Sequence, residues 1–244
     1  MSAAEGRGLG IRVLCSMAVR HLLTDLAESA QGTRGVRTSP VVVTSVGGVT
    51  AREMIATKDC ADVAVLADGA IRSLEREGHI LPGTVTPLVV SDMVAAVPED
   101  DGASPRPDGT AFADADGLRG ALLEARSIGY STGPSGRALL SMIDGWGLRP
   151  ALDDRLVQAP AGVPVAELIA SGTVSLGFQQ RSELTGASGV KVLGALPADC
   201  AVKSVFSMGA AARAVDTRAA RSLIAEWASP RTGRMRLAHG FELP

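Results

Sequence analysis

Twice along this chain a series of short apolar runs alternates with helical periodicity, and each series is bounded by a much longer apolar run. In the first series, residues 11–15, 41–43 and 61–66 read as buried strands. Residues 18–29, 51–56 and 70–77 read as the helices between and after them, with Leu22, Leu23, Leu26 and Ala30 at helical spacing. Residues 88–97 form the first long run, broken only by Ser91-Asp92. The second series has strands at 127–130, 156–158, 174–178 and 190–193, and helices at 118–125, 135–146 and 163–171. Residues 202–211 form the second long run. An amphipathic helix follows at 216–228, with Ala219, Leu223 and Trp227 on one face, then a short helix at 230–237. Alternation at this pitch predicts an α/β fold built on parallel sheets. The two long runs predict two crossings between two lobes, lobe one from 1–90 and 203–244 and lobe two from 91–202.

Composition narrows the class. Hydrophobic residues make up 46% of the 244 and charged residues 20%, which predicts a packed core rather than a disordered chain. With a net charge of -2 and scattered basic residues, the chain lacks the basic face of a nucleic-acid binder. Cys15, Cys60 and Cys200 are odd in number and have no CxxC spacing, so they read as small buried hydrophobes rather than disulfide partners or zinc ligands. His21, His79 and His239 are too dispersed for a metal motif. Neither a metal nor a cofactor is expected. No stretch approaches the length of a membrane span. Residues 1–10 are polar and Gly-rich, without a basic region followed by an apolar one. The expected place is therefore the cytoplasm, or the periplasm or cell exterior if a signal has been trimmed.

The chemistry gathers where strands give way to helices. Residues 129–137 read Gly-Tyr-Ser-Thr-Gly-Pro-Ser-Gly-Arg, a strand end running into a helix start. Such a turn leaves backbone N–H groups unpaired and aimed at one point, where the hydroxyls and the positive end of the helix join them around an anion. An ordinary capped connection is the plainer reading of one such loop. The chain has a second at Ser45-Val46-Gly47-Gly48-Val49-Thr50 and a third candidate at Ser16-Met17-Ala18. The residues expected to hold an anion are Ser16, Met17, Arg20, Ser45, Gly47, Gly48, Ser131, Thr132, Ser135, Gly136 and Arg137. Arg20 and Arg137 can pair with carboxylates or be solvated helix residues. Gln179 and Gln180 follow an apolar strand and should emerge at its carboxyl end, where ligands bind in such sheets. Alternatively, their amides satisfy loop backbone.

Several blocks resemble the type II periplasmic-binding-protein superfamily, of the kind seen in molybdate-binding proteins. They are 13–23, the Gly/Ser loop at 45–50, Ala61-Asp62-Val63-Ala64-Val65-Leu66, and 220–243 with Ser229-Pro230 and His239-Gly240-Phe241. The resemblance spans nearly the whole chain and implies a two-lobed α/β fold with a ligand cleft between the lobes. A narrower set is similar to the bacterial aconitate isomerase branch: Tyr130-Ser131, Ser135-Gly136, Gly162-Val163-Pro164-Val165, Leu176-Gly177-Phe178-Gln179-Gln180 and Ser182-Glu183-Leu184. The chain departs from that branch at Ser16-Met17-Ala18 and Thr132-Gly133-Pro134.

The branch implies a double-bond isomerase for a small unsaturated polycarboxylate, with no cofactor. Such chemistry needs a base beside a carboxylate and donors for the developing charge. His21 and Glu183 are the candidate bases, each with a structural or exposed role as the alternative. The other implied function is a substrate-binding protein for molybdate or another small anion, with an ABC permease as its partner. On both readings the ligand is a small anion, a carboxylate on the first.

Overall fold

The computed structural model describes residues 10–31 and 40–244. The polar start of the chain, residues 1–9, lies outside the described residues. The chain divides into two compact units. The first takes the described residues of Met1–Leu88 together with Phe206–His239, and the second takes Val89–Val205 and Gly240–Pro244.

In the first unit the order is β1 (Ile11–Ser16), α1 (Arg20–Gln31), β2 (Val41–Val46), α2 (Gly48–Thr57), β3 (Val63–Ala67) and α3 (Asp68–Arg76). A short 3-10 turn, Met17–Val19, joins β1 to α1. The strand β4 (Thr86–Pro98) leads into the second unit. There α4 (Ala115–Glu124), β5 (Ile128–Tyr130), α5 (Pro134–Gly145), α6 (Arg149–Leu152), β6 (Leu156–Gln158), α7 (Val165–Ala170), β7 (Leu176–Gln180), α8 (Arg181–Leu184) and β8 (Val190–Ala195) follow. The chain returns through β9 (Lys203–Ala210) to α9 (Thr217–Ala228) and α10 (Gly233–Ala238).

The first unit's sheet runs β2-β1-β3-β9. The first three strands are parallel, and β9 is antiparallel to β3. In the second unit β7 and β6 flank β5 in parallel, while β4 pairs antiparallel with β7 and with β8. Both sheets are therefore mixed, correcting the parallel expectation. The βα units run parallel because each helix carries the chain back to the same edge. The long strands arrive without such a return and pair in the opposite sense. The last five residues, which the sequence pattern groups with lobe one, lie with the second unit. There Val90 and Glu242 exchange backbone hydrogen bonds of 2.9 and 2.8 Å, and the Lys203 amine donates to the Glu242 carboxylate.

The apolar run of β4 after Asp92 follows from burial on two faces. Met93, Ala95 and Val97 pack with Leu118, Leu122, Leu139 and Ile143 of α4 and α5. Val94 and Ala96 pack with Val165 and Ile169 of α7. The exposed loop at 98–109 is held by its own carboxylates: Asp101 accepts from the Ala103 N–H and Asp108 from the N–H and hydroxyl of Thr110. The Lys191 amine donates to the Asp101 and Ala103 carbonyls.

Two glycines set how closely α7 approaches the sheet. Gly129 and Gly177 are register partners on β5 and β7. A Cβ on Gly129 would lie 2.9 Å from Val174 Cγ2, and one on Gly177 would lie 2.5 Å from Ile169 Cδ1 and 2.9 Å from Val165 Cγ1. Ile169 Cδ1 can turn aside, but Val165 Cγ1 sits next to the backbone. Gly177→Ala should therefore cost about 1–3 kcal/mol, the usual penalty of overpacking. A lower denaturant midpoint with an unchanged slope would register it.

Candidate functional site

The first unit builds one donor cluster. β1 and β2 lie side by side in parallel, with Cys15 opposite Ser45 and Ser16 opposite Val46, so both strands end at one sheet edge. Gly47 and Gly48 continue from β2 into α2. A Cβ on Gly48 would stand 3.7 Å from the Ser16 Cβ, which places Ser16 against the start of α2. Ser16 is 7% exposed, and its Oγ is buried without a hydrogen-bond partner among the described residues. Behind it, burial pushes the Cys15 thiol up to about 12, against the opposing charge of Arg20, so Cys15 is no nucleophile near neutral pH. Met17 is half-buried in the 3-10 turn.

The start of α2 differs from those of α4 and α9. Asp114 caps α4 by accepting from the Gly117 N–H, and Asp216 caps α9 by accepting from the Ala219 N–H. By contrast, α2 has no side-chain cap and no acidic residue in its first turn. Its leading N–H groups and the positive end of its dipole are left for another acceptor.

The second unit repeats the construction. β5 ends at Tyr130 and α5 starts at Pro134, again without a side-chain cap or an acidic residue in its first turn. Pro134 occupies a position whose N–H would be unpaired in any helix. The Ser131 Oγ accepts from the Gly133 N–H at 3.2 Å and lies 3.1 Å from the Ser135 Oγ. Ser135 is only 1% exposed. Gly136 lets the helix start against the Ser131 carbonyl. Thr132 is half-buried, and its carbonyl receives the Arg137 guanidinium at 3.3 Å. Arg137 is exposed and tied back to its own loop.

Gln179 and Gln180 sit at the carboxyl end of β7, beside β5, in the same unit as this turn. The Gln179 Oε1 accepts from the Val165 N–H at 2.8 Å, capping α7, and its Nε2 donates to Glu183 Oε1 at 2.8 Å. Its amide therefore holds α7 and α8 together. Gln180 is 2% exposed and its Nε2 donates to Ser204 Oγ at 2.8 Å. Its Oε1 is buried without a partner among the described residues. Periodicity located both amides but could not show which would be consumed internally.

The two candidate bases have defined settings. His21 is exposed on α1, and its Nε2 accepts from Arg20 Nε at 3.1 Å. Burial, then the charges of Arg20 and His239, lower its ring below the ordinary histidine range against the pull of Asp25. Glu183 is half-buried and receives the Gln179 amide. Among the described residues no group of three or more His, Cys, Asp or Glu is placed to hold a metal, and no helix is long and apolar enough to cross a membrane. Cys60 and Cys200 are half-buried free thiols. Burial raises both, Cys200 to about 11 with help from Asp199.

Comparison with known proteins bears on this arrangement. The chain is 26% identical over 226 residues to an aconitate isomerase from a Pseudomonas species, covering 90% of this chain and 82% of that protein. Its fold is similar to that of the periplasmic molybdate-binding protein of Azotobacter vinelandii, with a TM-score of 0.77 and 21% identity over 96% of this chain and 99% of that one. It is also similar to the sulfate-binding protein SubI of Mycobacterium tuberculosis, with a TM-score of 0.73 and 14% identity over 95% of this chain and 86% of that one. Residues 11–242 match the family model described as bacterial extracellular solute-binding protein. The chain belongs to the bacterial extracellular solute-binding protein family.

Proposed function

We propose that this protein is a binding protein for a small anion, molybdate or another compact oxyanion or carboxylate, that serves an ABC transporter. The observation that carries the reading is the buried Ser16 hydroxyl, without a partner among the described residues, set against the uncapped start of α2. A buried hydroxyl left unbonded costs stability, and its retention makes sense where a ligand completes it. The Ser131–Gly136 turn is a second donor set of the same kind within its own unit. Family membership supports the same reading. It supports work outside the cytoplasm, the alternative to the cytoplasmic expectation.

Calorimetric titration with molybdate, sulfate, cis-aconitate and trans-aconitate tests it. At least one of these should bind saturably without being changed. Ser16→Ala should weaken that ligand by roughly 10–100-fold, as expected for one hydrogen bond to a charged group. The unliganded variant should be no less stable than the parent, because no partner among the described residues loses a bond. Unchanged affinity in both Ser16→Ala and Ser131→Ala would overturn the reading.

The likeness to an aconitate isomerase favours a second reading, in which the same donors hold a polycarboxylate while a base shifts its double bond. Neutral His21 has the protonation state a base needs, and Glu183 is the other candidate. NMR of cis- and trans-aconitate with the protein in deuterated water separates the two readings. Interconversion with deuterium entering the allylic carbon would favour the isomerase. Binding without interconversion favours the carrier.

A further inference from the structure

We infer a second anion site in the first unit, at the edge of its sheet opposite Ser16. A cavity of about 220 Å³ is lined there by Ile55, Ala61 and Ala211, with Lys58, His79 and Arg213 among its other walls. Ala61 precedes β3 and Ala211 follows the antiparallel β9, so both mark the edge away from the carboxyl end of β1. That edge is roughly 15–20 Å from Ser16, the length of a strand of five or six residues. The site is independent of the function proposed above.

Three features make this a built site. The floor is apolar, since Ile55, Ala61 and Ala211 are all buried. Its backbone is fixed: the Ala212 N–H donates to the His79 carbonyl and the Ala211 N–H to the Asp62 carbonyl, both at 2.9 Å. The rim carries two cations, Lys58 and Arg213, whose side chains make no hydrogen bond or ion pair among the described residues. The one carboxylate in the lining, Glu77, is answered by Arg52 at 2.6 Å and Ser73 at 2.8 Å.

Basic residues near helix ends commonly offset the negative end of the dipole. That accounts for Lys58, which follows α2. It does not account for Arg213, which follows a strand. A cationic rim over an apolar floor selects a small oxyanion, phosphate-like or carboxylate, carried on an apolar body of a few carbons. The volume is below the about 300–1,000 Å³ of sites for larger molecules, which keeps that body small.

The test is an amide NMR titration of the whole chain with phenylphosphonate and, separately, inorganic phosphate. The Gly78 and Ala212 amides should shift saturably, at lower concentration for phenylphosphonate because its ring covers the floor. Lys58→Gln with Arg213→Gln should raise that midpoint roughly tenfold or more. Both side chains are exposed, so the pair should leave the fold intact. Ser16→Ala should leave the midpoint unchanged. Absence of saturable shifts at Gly78 and Ala212, or an unchanged midpoint in the double variant, overturns the site. So does loss of these shifts in Ser16→Ala, which would place the anion at the other edge. Equal midpoints for the two probes overturn the apolar body.

Discussion

Replacing Gly136 with alanine should destabilise the protein by about 3 kcal/mol or more and disrupt the Ser131 turn. In an open helix the same change gains up to about 1 kcal/mol, because glycine loses the most conformational freedom on folding. Here the added Cβ would lie 1.8 Å from the Ser131 carbonyl oxygen, 2.8 Å from its carbon and 3.2 Å from its nitrogen. All three atoms are backbone, so no rotamer change relieves the clash. The Ser131 peptide must withdraw, and with it the hydroxyl that receives the Gly133 N–H and meets Ser135. Gly120, inside α4, is the matched control, since a Cβ there meets nothing within 4 Å. Gly120→Ala should gain up to about 1 kcal/mol. Thermal and denaturant unfolding of the two variants should therefore move in opposite directions. Parallel movement would mean that the turn is looser than its geometry implies.

Gly136 also marks where sequence reading stops. Its place in a Ser- and Gly-rich turn before a helix was legible, because strand end, hydroxyls, proline and helix start follow one another along the chain. The carbonyl that forces it to be glycine is legible only in three dimensions. The same holds for Gly177. Within Leu-Gly-Phe-Gln-Gln it reads as part of a family likeness, whereas its physical reason is Val165 and Ile169 on α7. Gln179 is a sharper case. Periodicity puts it at the carboxyl end of a buried strand, and it is there, but its amide is held by Val165 and Glu183. Alternation of strand and helix revealed the βα units because each is local. The antiparallel pairing of β4 and β9 was not legible, since their partners lie far away along the chain. The cationic rim of Lys58 and Arg213 was invisible for the same reason. The turns are local and could be read; the cavity is assembled from separate segments and could not.

Asp62 should carry the largest electrostatic contribution in the first unit. It is 4% exposed and accepts four hydrogen bonds. Its Oδ2 receives the Arg12 backbone N–H at 2.9 Å and the Arg12 Nε at 3.1 Å. Its Oδ1 receives an Arg12 terminal nitrogen at 3.0 Å and the Val215 N–H at 2.9 Å. These bonds tie the start of β1 to the segment leading into α9. Burial alone would raise this carboxyl, but the Arg12 hydrogen bonds and charge, with the Val215 N–H, outweigh it and hold the group below the ordinary aspartate range. Asp62→Asn turns an NH2 toward donors and leaves Arg12 without its main partner, so it should cost about 3–5 kcal/mol at neutral pH. The sign of the pH dependence follows from the depressed value. The contribution is complete above the unfolded-chain value of about 3.9 and is lost as pH falls from there through the folded value. Denaturant unfolding of parent and variant at pH 7 and again near pH 3 should show the gap narrowing on acidification. A gap of the same size at both would mean that packing, rather than the ionised carboxylate, supplies the stability. A double-mutant cycle with Arg12→Met should then show no coupling, whereas the contacts described here require it.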